Sequence, residues 1–381
     1  MLDILIKNGH VVDPTRNING LCTIGVTGDK IVEIISENTA EARKVVDASG
    51  CFVFPGLIDF HGHFNFEGSS IGANPSLMAA SGVTSVVDAG SCGCLNFPLF
   101  YKSVIINSQV RVKAFLSCYS MGLGGGKIHE NFDERLFDKE LIIRVMSSFP
   151  NVVLGLKIRC SIPLIKDLAP LKRLVEIAEE IGPFPICVHT TNPPESIVHI
   201  ADILRKGDIF CHVYHGTGDV ILNEKKEIKE KILEARERGV IFDVAHGNNH
   251  FSNEICLKAL EQGFYPDIIS TDMTNDKLYS STKARSLPFV MSKFLSMGMP
   301  LYDIVRCVTE TPSKLMGMSG IIGTLSPGAN ADIAIMGLVE KEFPSMDAKG
   351  SLYTGNRMLL PQMTLINGEI VYSQEDFNLI Q

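Results

Sequence analysis

Long basic tracts are missing from this chain of 381 residues, and its formal net charge is −8. A nucleic-acid partner is therefore not expected. The short run of charges around Lys225–Lys231 reads as a solvated helix face. No uninterrupted apolar run reaches the roughly 20 residues of a membrane-spanning helix. The opening MLDILIKNGH breaks its apolar residues with acidic and amide side chains. It has no basic segment leading a long apolar one, so no secretory signal is expected. Cysteine spacing gives no structural zinc knuckle: Cys92 and Cys94 are one residue apart, against two in CxxC. Others, such as Cys118, Cys187 and Cys211, sit in apolar runs, where a thiol acts as a small hydrophobe. A cytoplasmic setting, no membrane association and a small-molecule substrate are the expectations. A dinucleotide fingerprint is absent too. GLGGG at 122–126 lacks the GxGxxG spacing and follows a later strand-like run.

What is present falls into two patterns. Both ends of the chain read as short strands with turns. ILIKNGHVVD turns at Asn8-Gly9, GVTGDKIVEI at Gly28-Asp29 and LINGEIVY at Asn367-Gly368; such dipeptides favour two-residue hairpins. ADIAIM continues the β pattern near the C-terminus. The middle alternates apolar runs with longer helical stretches. The runs are GLIDFHGH, GVTSVVDAG, VKAFLSCYS, VVLGLKIR, PICVHT, DIFCHVYHG, VIFDVAHG and DIISTDM. About eight such βα units predict a closed parallel barrel. The expected architecture is α/β: a (β/α)8 TIM barrel over 55–317, with a small β-sandwich domain formed by both termini, 1–54 and 318–381.

Polar residues gather at the ends of those runs. His61 and His63 end the first, Lys157 lies in the fourth, and His189 ends the fifth. His212 and His215 lie in the sixth, and Asp272 near the end of the eighth. The C-terminal ends of barrel strands converge on one rim, where active sites sit. Four imidazoles and a carboxylate there suit zinc or a similar ion. Alternation along a strand puts His61 and His63 on one side, so that they can grip one ion together. Lys157, flanked by Leu156 and Ile158, would be a costly buried ammonium. Carboxylated by carbon dioxide, it becomes an anion able to bridge two metals.

PGLIDFHGH at 55–63 resembles the first-strand signature of the amidohydrolase superfamily. GTLSPGANADIAI and LINGEIVY resemble its terminal β-sandwich. KIRCS, VHTTNPPE, HVYHG, FDVAHG and ISTDM resemble the branch labelled dihydroorotase-like amidohydrolase/deacetylase. The resemblance implies two divalent metals, expected to be zinc. His61, His63 and Asp272 would hold the more buried one, and His189 and His212 the more exposed one. Carboxylated Lys157 (N6-carboxylysine) and a hydroxide would bridge them. Asp272 would be the catalytic proton carrier. The implied reaction is hydrolysis of an amide or ester bond in a small acylated, carboxylate-bearing molecule. Cyclic-amide hydrolysis is the alternative, and a non-catalytic scaffold of the same fold a third reading. Deamination fits less well, because mononuclear deaminases of the superfamily generally lack the bridging lysine. The resemblance also implies a homo-oligomer.

Further residues are weaker candidates. Arg159 shares the strand face of Lys157 and would hold a substrate carboxylate, unless an internal ion pair occupies it. Asn192 and His246 are candidate substrate contacts. His215 rivals His212 as a ligand. His10, His129, His199 and His250 are expected to be surface or structural residues, and the 121–126 loop is a candidate lid.

Overall fold

The computed structural model describes residues 1–35, 41–124, 129–278, 280–375, 377 and 379–380. The candidate lid lies partly outside the described residues.

Strands from both ends of the chain form one branched sheet. Its N-terminal members are β1 (Leu2–Asp13), β2 (Ile18–Thr27), β3 (Lys30–Ile35), β4 (Ala42–Asp47) and β5 (Cys51–Pro55). The predicted hairpin at Gly28-Asp29 joins β2 to β3, with Thr27 paired to Lys30. Asn8-Gly9 behaves differently from the expectation. It is a bulge inside the single strand β1, where Asn8 has φ 63°. Before the bulge β1 pairs with β4, and after it with β5. Asn8 donates to Asp47 of β4, 2.8 Å away. The dipeptide thus switches partners instead of reversing the chain.

The barrel strands are β6 (Leu57–Gly62), β7 (Val83–Gly93), β8 (Arg111–Ser117), β9 (Val153–Arg159), β10 (Ile186–His189), β11 (Ile209–Cys211) and β12 (Ile241–Asp243). They pair in chain order, all parallel. Their apolar runs follow from burial on both faces; every residue of β7 is buried. The eighth run is not a regular strand. It closes the barrel through two parallel bridges, Ile268 to Asp243 and Met273 to Gly62. Helices cover the outside, with a 3-10 segment, Pro75–Ser81, in the first crossover. Ile58, Phe60, Val87, Phe115, Ile209 and Ile268 fill the interior, so the barrel is a packed core beneath its rim.

The chain then returns to the terminal sheet as β13 (Ile333–Met346), β14 (Leu352–Ile366) and β15 (Glu369–Ser373). β13 pairs antiparallel with β5. Asn367 and Gly368, with φ 49° and 80°, form the predicted hairpin between β14 and β15. Among the described residues no helix is long and apolar enough to cross a membrane, and all ten cysteines are free.

Candidate metal centre

The six predicted ligand positions line a single cavity of about 250 Å³ at the C-terminal rim. His61 comes from the end of β6, buried to 2% exposure, and its Nδ1 donates to Asp243 Oδ2 at 2.9 Å. Asp243 also accepts from Ser270 Oγ at 2.5 Å. The other ring nitrogen of His61, Nε2, therefore faces the cavity, 3.5 Å from Lys157 Nζ. His63 is held at Nδ1 by Ser91 Oγ, 3.0 Å away, and its Nε2 lies 3.3 Å from Asp272 Oδ1. His212 donates from Nδ1 to Ala245 O at 2.7 Å. Its ring stands against that of His189, with centroids 4.3 Å apart. His189 Nε2 is buried without a hydrogen-bond partner among the described residues. His215 is buried but does not line the cavity, so His212 is the histidine of that pair that faces it.

Backbone shape follows the chemistry. His212, Ala245 and Asp272 follow or end barrel runs with φ of 62°, 38° and 52°. Left-handed conformations at residues with a Cβ are strained and cluster at functional sites. They turn the chain sharply at the rim. Asp272 is fixed by its N–H donating to His61 O at 2.7 Å.

Lys157 is 5% exposed, and its Nζ lies 3.3 Å from Cys187 Sγ and 4.0 Å from Cys211 Sγ. It forms no ion pair with a carboxylate among the described residues. Gly90, with φ 88°, makes room for it: a Cβ there would stand 2.6 Å from Lys157 Cγ.

Electrostatics sort these groups. Burial, then the charge of Lys157, pushes His61 down to about 3. Burial also holds His189 and His212 well below the usual imidazole range. Neutral imidazoles are the form that binds metal. Burial opposes charge on Asp272, but Lys277 and His63 outweigh it and hold the carboxyl well below its ordinary range.

Other predicted residues fare differently. Arg159 lines the cavity, but its Nη1 is paired with Glu130, a carboxylate 7% exposed. Asn192 and His246 are not among the lining residues. Asn192 sits in a left-handed turn whose N–H donates to Thr217 O at 3.1 Å. His246 turns away: its Nε2 accepts from Lys293 Nζ at 3.0 Å, and its ring stacks on Phe251 at 4.2 Å. Glu130, Lys277 and His250 are among the lining residues that lie outside the predicted site set. Lys277 donates to Asp272 O, and its Nζ lies 3.4 Å from Asp272 Oδ2. His250, expected to be a surface or structural residue, stands with its ring centroid 4.3 Å from that of His212. All three lie on loops, where hydrophobic periodicity carries no positional signal.

Comparison with known proteins gives a consistent neighbourhood. A model described as the amidohydrolase family matches residues 52–378. A deacetylase of Brucella anthropi is 31% identical over 330 residues, covering 86% of this chain and 81% of that protein. A solved adenine deaminase superposes with a TM-score of 0.89 at 26% identity, covering 98% of this chain and all of that one. A solved dihydroorotase gives 0.88 at 29% identity, covering 98% of each chain.

Proposed function

The chain belongs to the amidohydrolase family, metal-dependent hydrolases acting on carbon–nitrogen bonds, and from that premise we propose that it removes an acyl group from a small, acylated, carboxylate-bearing molecule. The observation that carries the reading is Lys157: a buried amine facing His61 at the barrel rim that, among the described residues, forms no ion pair with a carboxylate. A lone buried ammonium is costly. Reaction of the amine with carbon dioxide, with loss of a proton, gives a carbamate anion, which suits a position between two cations.

The donor set fits a pair of zinc ions. His61, His63 and Asp272 would hold one, His189 and His212 the other, and carboxylated Lys157 both. Three of the four imidazoles are tied through Nδ1 to an oxygen, which leaves Nε2 for the cavity. The buried Nε2 of His189, without a hydrogen-bond partner among the described residues, is a further polar atom in need of one. Bound ions supply acidification of a shared water and polarisation of the substrate carbonyl.

The chain's own residues do the rest. Asp272, kept ionised, accepts the proton of the attacking water and delivers it to the leaving nitrogen or oxygen. Lys277 beside Oδ2 keeps that carboxylate aligned. Arg159 offers a guanidinium to a substrate carboxylate, which would share it with Glu130.

A panel of N-acyl and O-acyl carboxylates, with a cyclic amide and adenine alongside, tests this reading. Acyl release that stops on chelation, and is lost in a folded Asp272→Ala variant, is the expected result. Ring opening or ammonia release without acyl release would move the assignment to cyclic-amide hydrolysis or deamination. Unimpaired acyl release by Asp272→Ala would remove its catalytic role.

A further inference from the structure

The loop after β12 brings to the cavity an imidazole that the six-residue set leaves unused. His250 lines the cavity with ring centroids 4.3 Å from His212 and 4.8 Å from His189. One ring nitrogen from each of His189, His212 and His250 can be chosen so that all three lie within 4.8 Å of one another. Imidazoles bind zinc at about 2.0–2.1 Å, so donors on one ion stand no more than roughly 4 Å apart. Small ring adjustments bring these three into that range.

A second observation points the same way. His250 Nδ1 lies 3.0 Å from Thr191 Oγ1. His61, His63 and His212 are arranged alike, with Nδ1 on Asp243, Ser91 and Ala245 respectively. An oxygen that pins one ring nitrogen fixes the tautomer and presents the other to a metal. The loop is shaped for it: Gly247 has φ 57°, and a Cβ there would meet His250 Cδ2 at 2.7 Å and Asp272 Oδ2 at 2.6 Å.

We infer that His250 is a third imidazole ligand of the more exposed ion, beside His189 and His212. The inference rests on the metal pair proposed above and adds a ligand to one half of it. A role limited to touching substrate is the competing assignment, and metal affinity separates the two.

The test uses full-length protein stripped by a chelator and titrated with Co²⁺ in bicarbonate buffer, followed by calorimetry and visible absorption. His250→Ala should weaken the second Co²⁺ by roughly 10–100-fold or more, the range lost even when only a supporting residue is removed. The first Co²⁺ should bind as in the parent, and the absorption bands of the second should shift. His250→Gln, which keeps much of the side-chain volume, should show the same loss and guards against collapse of the loop. Thr191→Val should give a smaller loss in the same direction. Parent affinity for both ions in His250→Ala, with an unchanged spectrum, overturns the inference. His189→Ala is the reference: if it too binds both ions normally, or the parent takes up no second ion, the metal pair fails and the inference with it.

Discussion

Lys293 shows how much a single side chain decides near this site. Its side chain is fully buried, its Nζ donates to His246 at 3.0 Å and lies 3.9 Å over the Phe251 ring. Burial pushes the ammonium from 10.5 down to about 7, against the opposing influence of Cys256 and Asp347. Between those two values the unfolded chain carries a proton that the folded chain lacks. Stability contributed by this residue therefore rises with pH from about 7 to about 10.5 and is flat below that window. Lys293→Met should abolish that rise while leaving His246 Nε2 without its donor, a loss of about 1–3 kcal/mol. Urea midpoints of the two proteins across the window measure it; parallel curves would show that Lys293 stays charged. His246 was expected to touch substrate because its motif ends a strand. The motif places the residue at the rim, but the direction of its ring depends on Lys293, 47 positions away. His61, His63, Lys157, His189, His212 and Asp272 were legible because each lies at or beside a strand end. Glu130, Lys277 and His250 were not, because a loop's path is set by contacts that no local period encodes.

Among the elements, the barrel strands were readable from their apolar runs, and the closing run 267–273 was readable as a member though not as a regular strand. Asn8-Gly9 misled because the same dipeptide serves a turn or a bulge, and only the pairing of β1 with two successive partners decides. Helix starts depend on such distant partners too. The helix Ile197–Ile203 has Ser196 at its N-cap without a side-chain cap bond. Asp219 from the next loop takes over, accepting from Ile197 N at 2.9 Å and Ser196 Oγ at 2.6 Å, and it also pairs with Lys229. Burial raises its pKa, but Lys229, Ser196 and Ile197 outweigh that and leave it below 3.8. A depressed carboxyl stabilises the fold above its unfolded value and loses that contribution as pH falls through its folded one. Asp219→Ala should cost about 1–2 kcal/mol at neutral pH, as for a lost helix cap. The deficit should shrink in acid, as the pH falls below the ordinary aspartate value of 3.8. Chemical denaturation at neutral and acid pH checks this, and an equal deficit at both would assign the effect to packing.

Over the whole molecule, the terminal sheet and the barrel are joined by buried polar contacts as well as by chain continuity from β5 to β6. Asp332, 1% exposed, accepts from Arg111 of β8 at 2.9 Å and from Asn367 N at 2.8 Å. The Arg111 contact spans 221 positions, so it was invisible in the sequence, although the β character of both ends was plain. The barrel in turn lets residues of β6, β9 and β10, His212 just after β11, and the closing run meet over one cavity. Metal content tests whether those residues converge on a pair of ions. Elemental analysis of protein expressed with zinc and bicarbonate should find about two ions per chain. Lys157→Ala should lose most of that metal and regain part of it when a short carboxylate such as acetate is added. A Lys157→Ala protein that keeps the parent's full metal content would contradict the bridging role on which the account rests.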